Sequence, residues 1–106
     1  MNYQFVIQFE DDGGETLEKI EALEDQLIDL VDGLGEVDGH DLGDGTAHIV
    51  IHTSKPKKVW EKIEPVIEKA ASEDDLLPIA AAYRPFDAED FTVLWPADFD
   101  GEFQIG

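Results

Sequence analysis

Apolar and polar residues alternate along the first ten positions of the chain. Tyr3, Phe5, Ile7 and Phe9 fall on one side of an extended strand, and mainly polar residues fall on the other. Residues 3–10 are therefore predicted to form a strand with one buried face. A break at residues 11–14, which contains two glycines, ends it.

The next segment changes to a helical period. Residues 15–32 carry apolar side chains at steps of three and four, with acidic residues between them, and Gly33 is suited to the C-terminal end of a helix. The predicted core positions of this helix are Leu17, Ile20, Leu23, Leu27, Leu30 and Val31.

The second half of the chain repeats these two patterns. Residues 36–42 and 46–53 predict a hairpin that turns at Gly43-Asp44-Gly45, and Ser54 is the expected cap of a second helix. Pro65 should kink that helix or end it early. Residues 77–86 and 90–95 predict two further strands, and residues 96–106 a loose tail or an edge strand.

The predicted order is strand, helix, strand, strand, helix, strand, followed by one more strand. This order is typical of the α+β ferredoxin-like plan, an antiparallel sheet with two helices on one face, here with an extra C-terminal strand. A chain of 106 residues has room for a single core, so residues 1–106 are expected to form one domain.

Two segments of the chain resemble known sequences. The stretches GEVDGHDLGDGTAHIVIHT and AAAYRPFDAEDFTVLWP are similar to those of a group of small bacterial proteins that has no assigned activity, and they cover about a third of the chain. The resemblance supports the fold and implies no chemistry.

The net charge narrows the range of partners. The chain has 26 acidic and 7 basic residues, a net charge of −19, which repels nucleic-acid phosphates and anionic membrane surfaces. A basic protein would instead be attracted from a distance. An acidic proteome, such as that of a salt-adapted organism, is the alternative explanation of this charge.

The charge is also distributed unevenly. Residues 1–54 hold fourteen acidic residues and Lys19 alone among the basic types, whereas residues 55–71 hold five lysines and three glutamates. The lysine-rich segment is a solvated helix face or a surface for self-association with an acidic copy.

Cysteine is absent, which excludes disulfides, a thiol nucleophile and thiolate metal sites. The N-terminal residues lack the basic region of a signal peptide, and no apolar run approaches the roughly 18 residues of a membrane span. We therefore expect a cytoplasmic protein.

All three histidines lie in or beside the predicted hairpin. If the turn is centred on Asp44, His40 faces His48 and Asp38 faces Val50, and opposed Cβ atoms lie about 4.5–5.5 Å apart. His40 and His48 are then candidate ligands of one zinc or copper ion, with Asp38 or Glu36 as the third ligand. The alternative is an ordinary cross-strand pair of polar residues on the open sheet face.

Other chemistry has little support in the sequence. The two serines, Ser54 and Ser72, stand where helix caps or turns are expected, so no catalytic residue is assigned and an enzyme is not the favoured interpretation. Arg84 is either an anion ligand or a surface residue that balances nearby acids.

The function predicted from these patterns is that of a non-enzymatic protein-binding or regulatory module. An immunity-like role, in which the chain neutralises a basic partner, is its most concrete form. Homodimerisation through the open sheet face or an edge strand is a further expectation. The alternative is a histidine-based metal-binding protein or small enzyme that uses the open sheet face; otherwise no cofactor is expected.

Overall fold

Five strands and two helices make up the computed structural model, which describes residues 2–11, 15–43 and 45–96. The elements, in chain order, are β1 (Tyr3–Glu10), α1 (Thr16–Leu30), β2 (Gly35–Gly43), β3 (Thr46–Thr53), α2 (Pro56–Asp74), β4 (Pro78–Pro85) and β5 (Thr92–Trp95). Neither helix in this part of the chain is both long and apolar enough to cross a membrane.

The strands form one antiparallel sheet in the order β2-β3-β1-β4-β5. The alternating strand β1 lies at its centre and pairs with β3 on one side and β4 on the other. The architecture is thus α+β, with a five-stranded antiparallel sheet and two helices, as the periodicity predicted.

Both helices pack against the same face of the sheet. We call it the helix face; Phe5, Ile7 and Phe9 of β1 and Ile49 and Ile51 of β3 point into it. The helices supply the other half of this core through Ile20, Leu23, Leu27, Val59, Ile63 and Ile67. The opposite face, which we call the open face, carries Val6, Ala80 and Ala82.

One core prediction for α1 is wrong. Leu17 is 46% exposed, whereas Thr16 is 3% exposed and takes the core position at the start of the helix. The buried stripe runs through Thr16, Ile20, Leu23 and Leu27, which recur at steps of four and three. Leu17 follows Thr16 by one residue, about 100° around the helix, and so lies outside that stripe.

Helix α2 does not end early at Pro65. It runs on to Asp74, and Val59, Ile63, Ile67 and Ala70 anchor it to the core on both sides of the proline. Pro65 lacks an amide hydrogen, but Pro65 and Glu61 are both exposed, so water can hydrogen-bond the carbonyl of Glu61 that loses its helical partner.

The start of α2 also differs from the prediction. Ser54 is exposed, and the side chain at this turn that makes hydrogen bonds is Thr53, which is fully buried. Its hydroxyl donates to the carbonyl of Leu34 at 2.6 Å and accepts from the amide of Lys55 at 2.9 Å. Thr53 therefore ties the end of β3 to both the turn before β2 and the first turn of α2.

The β2–β3 hairpin contains a bulge that the sequence did not reveal. Glu36 and Val37 pair with His52 and Ile51 as predicted, but Gly39 pairs with Val50 and His40 with Ile49. Asp38 is the extra residue, and Gly39 has a φ of +156°, which side-chain-bearing residues rarely adopt. Residues 40–43 consequently face the opposite way from the prediction, and Leu42 packs on the helix face.

The prediction of a loose tail or edge strand at 96–106 lies outside the described residues, apart from Pro96 itself.

Gly35 should be intolerant of any side chain. A Cβ at Gly35 would lie 2.5 Å from the backbone oxygen of His52 and 3.0 Å from the Cβ of Thr53, so β2 and β3 would have to separate. We expect Gly35→Ala to lower the free energy of unfolding by about 1–3 kcal/mol in urea denaturation. Gly43→Ala is the matched control, because its Cβ would meet nothing within 4 Å. Equal losses in both variants would contradict this account.

Candidate functional site

The histidine pair predicted from the sequence is not formed. The bulge at Asp38 places His40 opposite Ile49, on the helix face, while Asp41 is the residue opposite His48 on the open face. His40 and His48 therefore point to opposite sides of the sheet. The predicted register was wrong because it assumed a regular hairpin through residue 38.

His40 connects the edge of the sheet to helix α1. Its Nδ1 donates to Oε1 of Glu24 at 2.8 Å, and the two side chains are 27% and 13% exposed. The contact joins the middle of α1 to β2, so its geometry is explained by packing of the helix on the sheet.

His48 is a buried polar residue, only 2% exposed. Nε2 of Gln8 donates to Nε2 of His48 at 3.1 Å. An amide nitrogen only donates, so this ring nitrogen must accept and the imidazole is neutral. Burial lowers the pKa of His48 below its ordinary value, partly offset by the nearby carboxylate of Asp41.

Asp38 contacts His52 and not the predicted partners His40 and His48. Its Oδ2 lies 3.8 Å from Nε2 of His52, whose ring also stacks edge-on against Phe86 with centroids 4.9 Å apart. The Asp38 side chain is 57% exposed, so this is a loose, solvated contact of the kind worth little to stability.

The residues chosen as metal ligands are thus separated among three environments. His40 binds Glu24, His48 binds Gln8, and Asp38 lies beside His52. Within 2–11, 15–43 and 45–96, no group of three or more histidine or acidic side chains is arranged to hold a metal ion. Metal binding by His40, His48 and Asp38 stays a prediction of the sequence alone.

Arg84 anchors the loop that connects β4 and β5. Its Nε donates to Oε1 of Gln4 at 2.9 Å, and its Nη1 donates to the carbonyl oxygen of Ala88 at 2.7 Å. The guanidinium also lies 5.6 Å from the ring centroid of Phe91. These contacts explain Arg84 through the chain's own loop and leave no need for an anionic ligand.

The exposed side of α1 combines apolar and acidic residues. Leu17 and Ile28 are 46% and 52% exposed. Together with Glu21 and Glu24 they recur at steps of four, three and four, so the four side chains line one side of the helix. We call this set the α1 stripe; its Glu24 makes the contact with His40, which places the stripe beside β2.

Unpaired acidic residues surround the α1 stripe. Among the described residues the ion pairs are Glu24–His40, Asp38–His52 and Lys69–Glu73. Neither Glu21 nor the exposed acids that flank the stripe take part in any of these pairs; the flanking acids are Glu18, Asp25, Asp29 and Asp32.

Strand β2 extends the acidic surface to the edge of the sheet. It pairs with β3 alone among the described strands, and its exposed residues include Glu36, Asp38 and Asp41. Acidic side chains and a bulge are both devices that discourage an edge strand from pairing with another copy of itself. They do not discourage a basic partner.

The lysine-rich segment forms a contrasting surface. Lys55, Lys57 and Lys58 line a cavity of about 310 Å³ at the start of α2, together with Tyr3 and Tyr83. The tyrosine rings pack edge to face with centroids 5.6 Å apart. The described chain therefore has an acidic side, formed by α1 and β2, and a basic corner at the start of α2.

Sequence reasoning missed the α1 stripe because it assigned Leu17 to the core and passed over Ile28. The signal was present in the spacing: Leu17 and Ile28 are eleven residues apart, about three helical turns, and so fall on one line outside the buried stripe.

His48 should make stability depend on pH. Its folded-state pKa lies below the unfolded value, so near pH 6.5 and below, the unfolded chain takes up a proton that the folded chain refuses. The contribution of His48 to the free energy of unfolding is therefore fully present above pH 6.5 and is lost as the pH falls through 6.5 towards the lowered pKa. We expect the free energy of unfolding, measured by urea denaturation, to fall less between pH 7.5 and pH 5.5 in His48→Gln than in the parent.

His40→Gln is the matched control for this measurement, because it leaves the buried imidazole of His48 in place. The same pH-dependent loss in the parent and in both variants would show that His48 does not have this role.

Comparison with known proteins gives no match: no family model, curated protein or solved structure is found to be similar to this chain.

Proposed function

We propose that the protein is a non-enzymatic binding module that docks a basic protein segment on its acidic side, along α1 and the β2 edge. The observation that carries the proposal is the α1 stripe, in which exposed Leu17 and Ile28 lie beside Glu21 and flanking acids that have no ion-pair partner among the described residues. An immunity-like or regulatory role, in which the module masks a basic partner, is the biological form that we favour.

The charge pattern supports a basic partner. Helix α1 alone contains five acidic residues and one lysine, and the total charge is −19. Concentrated negative charge repels itself and lowers stability, so a partner that neutralises it gains binding energy and encounters the surface faster. This steering weakens with added salt, because the screening length is about 8–10 Å at physiological ionic strength.

The apolar residues of the α1 stripe support contact rather than charge attraction alone. Isolated exposed apolar side chains are common on protein surfaces, but Leu17 and Ile28 share one line of a helix with two glutamates. An amphipathic segment with lysines or arginines beside its apolar residues would match both features.

We also infer that the architecture is ferredoxin-like. The supporting observations are the strand order β2-β3-β1-β4, the antiparallel pairing throughout and the placement of both helices on one face, with β5 added beside β4.

The proposed surface can be tested by making the same change of charge on α1 and, as a control, on α2. The probe is an amphipathic peptide with lysines on one side and leucines on the other, titrated into the isotopically labelled protein and followed by NMR. We expect shifts confined to α1 and β2, and at least about tenfold weaker binding, or about 1.4 kcal/mol, for Glu21→Lys/Asp25→Lys. Affinity should also fall as salt is added.

Glu61→Lys/Glu68→Lys is the matched control, because it changes the net charge equally through two exposed acids of α2. Equal weakening by the two double variants would mean that net charge alone governs binding, which contradicts a defined surface. Salt-independent binding would contradict the electrostatic part of the proposal.

A separate double variant tests how much the exposed apolar side chains contribute to peptide binding. Leu17→Ser/Ile28→Ser leaves the charge unchanged and removes the exposed apolar side chains, so we expect weaker peptide binding with the same salt dependence. Isothermal titration of the peptide at two salt concentrations measures both quantities. Unchanged affinity in this variant would reduce the proposal to charge attraction.

A further inference from the structure

The basic corner at the start of α2 contains a cavity that the proposed function does not use. The cavity has a volume of about 310 Å³, and Lys55, Lys57 and Lys58 line it together with Tyr3 and Tyr83. This volume is close to the lower limit of the roughly 300–1,000 Å³ that small-molecule sites occupy. The cavity therefore suits one small molecule and not a folded partner.

The sheet holds the aromatic wall of this cavity in place. Tyr3 begins β1, and Tyr83 of β4 pairs with Phe5 of the same strand. The two tyrosine rings pack edge to face, with centroids 5.6 Å apart and an interplanar angle of 80°. Both rings are partly buried, and Tyr83 also packs against the core of the helix face. They thus form a preformed surface on which a planar ring of a ligand can pack at little cost in conformational freedom.

The lysine wall of the cavity carries positive charge that the described part of the chain does not neutralise. Lys55, Lys57 and Lys58 are exposed, and none of them belongs to an ion pair of the described residues. Residues 53–58, TSKPKK, place three lysines within four positions and include no acid. In a chain with 26 acidic and 7 basic residues, this segment is a local exception that favours an anion.

The position of these lysines is unfavourable for the protein alone. Helix α2 begins at Pro56 and has no acidic residue in its first turn, and its N-cap Lys55 makes no side-chain capping hydrogen bond. The partial positive charge at the N-terminus of a helix favours anions and disfavours lysine. An anion in the cavity would offset both charges, so the helix end and the lysine wall favour the same kind of ligand.

A phosphate group matches three lysines better than a carboxylate does. A phosphate monoester carries a charge of about −1.5 to −2 at pH 7 and three strong acceptor oxygens, whereas a carboxylate has a single charge and two oxygens. Lysine binds phosphate as a point charge. The ligand must also be small, because a long polyanion would extend from this corner over a molecule of charge −19 and be repelled.

We infer that the basic corner binds a small organic phosphate, with its phosphate group among Lys55, Lys57 and Lys58 and a planar ring against Tyr3 and Tyr83. A nucleoside monophosphate has both parts. A second copy that docks its acidic side here is the weaker occupant, because two chains of charge −19 repel each other. The cavity shares no residue with the α1 stripe or β2, so the inference stands independently of the proposed function.

Three ligands separate the contribution of the lysines from that of the tyrosines. The full chain is titrated by calorimetry with adenosine 5′-monophosphate, with adenosine and with inorganic phosphate. We expect the monophosphate to bind at least about tenfold more tightly than either of the other two, because it alone contacts both walls. Equal affinity for the monophosphate and inorganic phosphate would overturn the inference, as would the absence of binding at millimolar monophosphate.

A double variant tests the lysine wall. Lys57→Gln/Lys58→Gln should weaken binding of the monophosphate at least about tenfold and leave the affinity for adenosine unchanged. Lys62→Gln/Lys69→Gln is the matched control, because it removes the same charge from two exposed lysines farther along α2. Equal weakening in the two double variants would show that net charge governs binding, which overturns a defined site.

The other occupants have separate readouts. Analytical ultracentrifugation should give the same state of association for the parent and for Lys57→Gln/Lys58→Gln. A dimer of the parent that this variant dissociates would assign the lysines to a second copy and overturn the inference. A short single-stranded oligonucleotide should bind no more tightly than the monophosphate; tighter binding would assign the corner to nucleic acid, with the same consequence.

Discussion

Burial of strand β1 on both faces is the constraint on which the rest of the structure depends. Phe5, Ile7 and Phe9 require a cover on one side of the sheet, and Val6 requires one on the other. Helices α1 and α2 meet the first requirement, which fixes their apolar stripes. The helices do not meet the second requirement; among the described residues, Ile79, Phe91 and Val93 pack against Val6 on that face.

The same constraint decides where charge can go. A core closed on both sides leaves the outer surfaces of α1 and α2, the β2 edge and the loops for the acidic residues, and a net charge of −19 crowds them together. The few favourable contacts are placed where elements meet: Glu24 with His40 between helix and sheet, and Arg84 on the β4–β5 loop. The remaining acids of α1 stay exposed and outside the ion pairs of the described residues, which is why the surface that we propose for binding is also a region of strong charge repulsion.

Periodicity was sufficient to predict the elements, because a two-residue or a 3.6-residue repeat of apolar positions follows directly from burying one face. The class, the element order and most core positions of β1, β3 and both helices could be predicted from the sequence. The hairpin register was predicted wrongly because regular alternation was assumed through Asp38, whereas Val37 and Leu42, five residues apart, share the helix face only with one extra residue between them. Gly39 was the available signal, since a bulge often requires a glycine conformation. Of the two outcomes predicted for Pro65, the early end of the helix does not occur, because exposure of Pro65 and Glu61 lets water bind the freed carbonyl, and the local sequence does not encode that exposure.

The bulge also explains why the histidines do not form a single site. Without it, His40 and His48 would share the open face and a metal ion would be a reasonable occupant of their pair. One extra residue turns His40 toward Glu24, and His48 is left as a lone imidazole that can accept a bond from Gln8 only while neutral. A buried neutral histidine next to alanines suits a covered face and does not suit an open metal site. The acidic side and the buried open face are therefore two separate consequences of one sheet. Both faces are closed, so acidic residues lie on the outside of α1 and along β2, where the bulge and the acidic side chains discourage the edge strand from pairing with another copy.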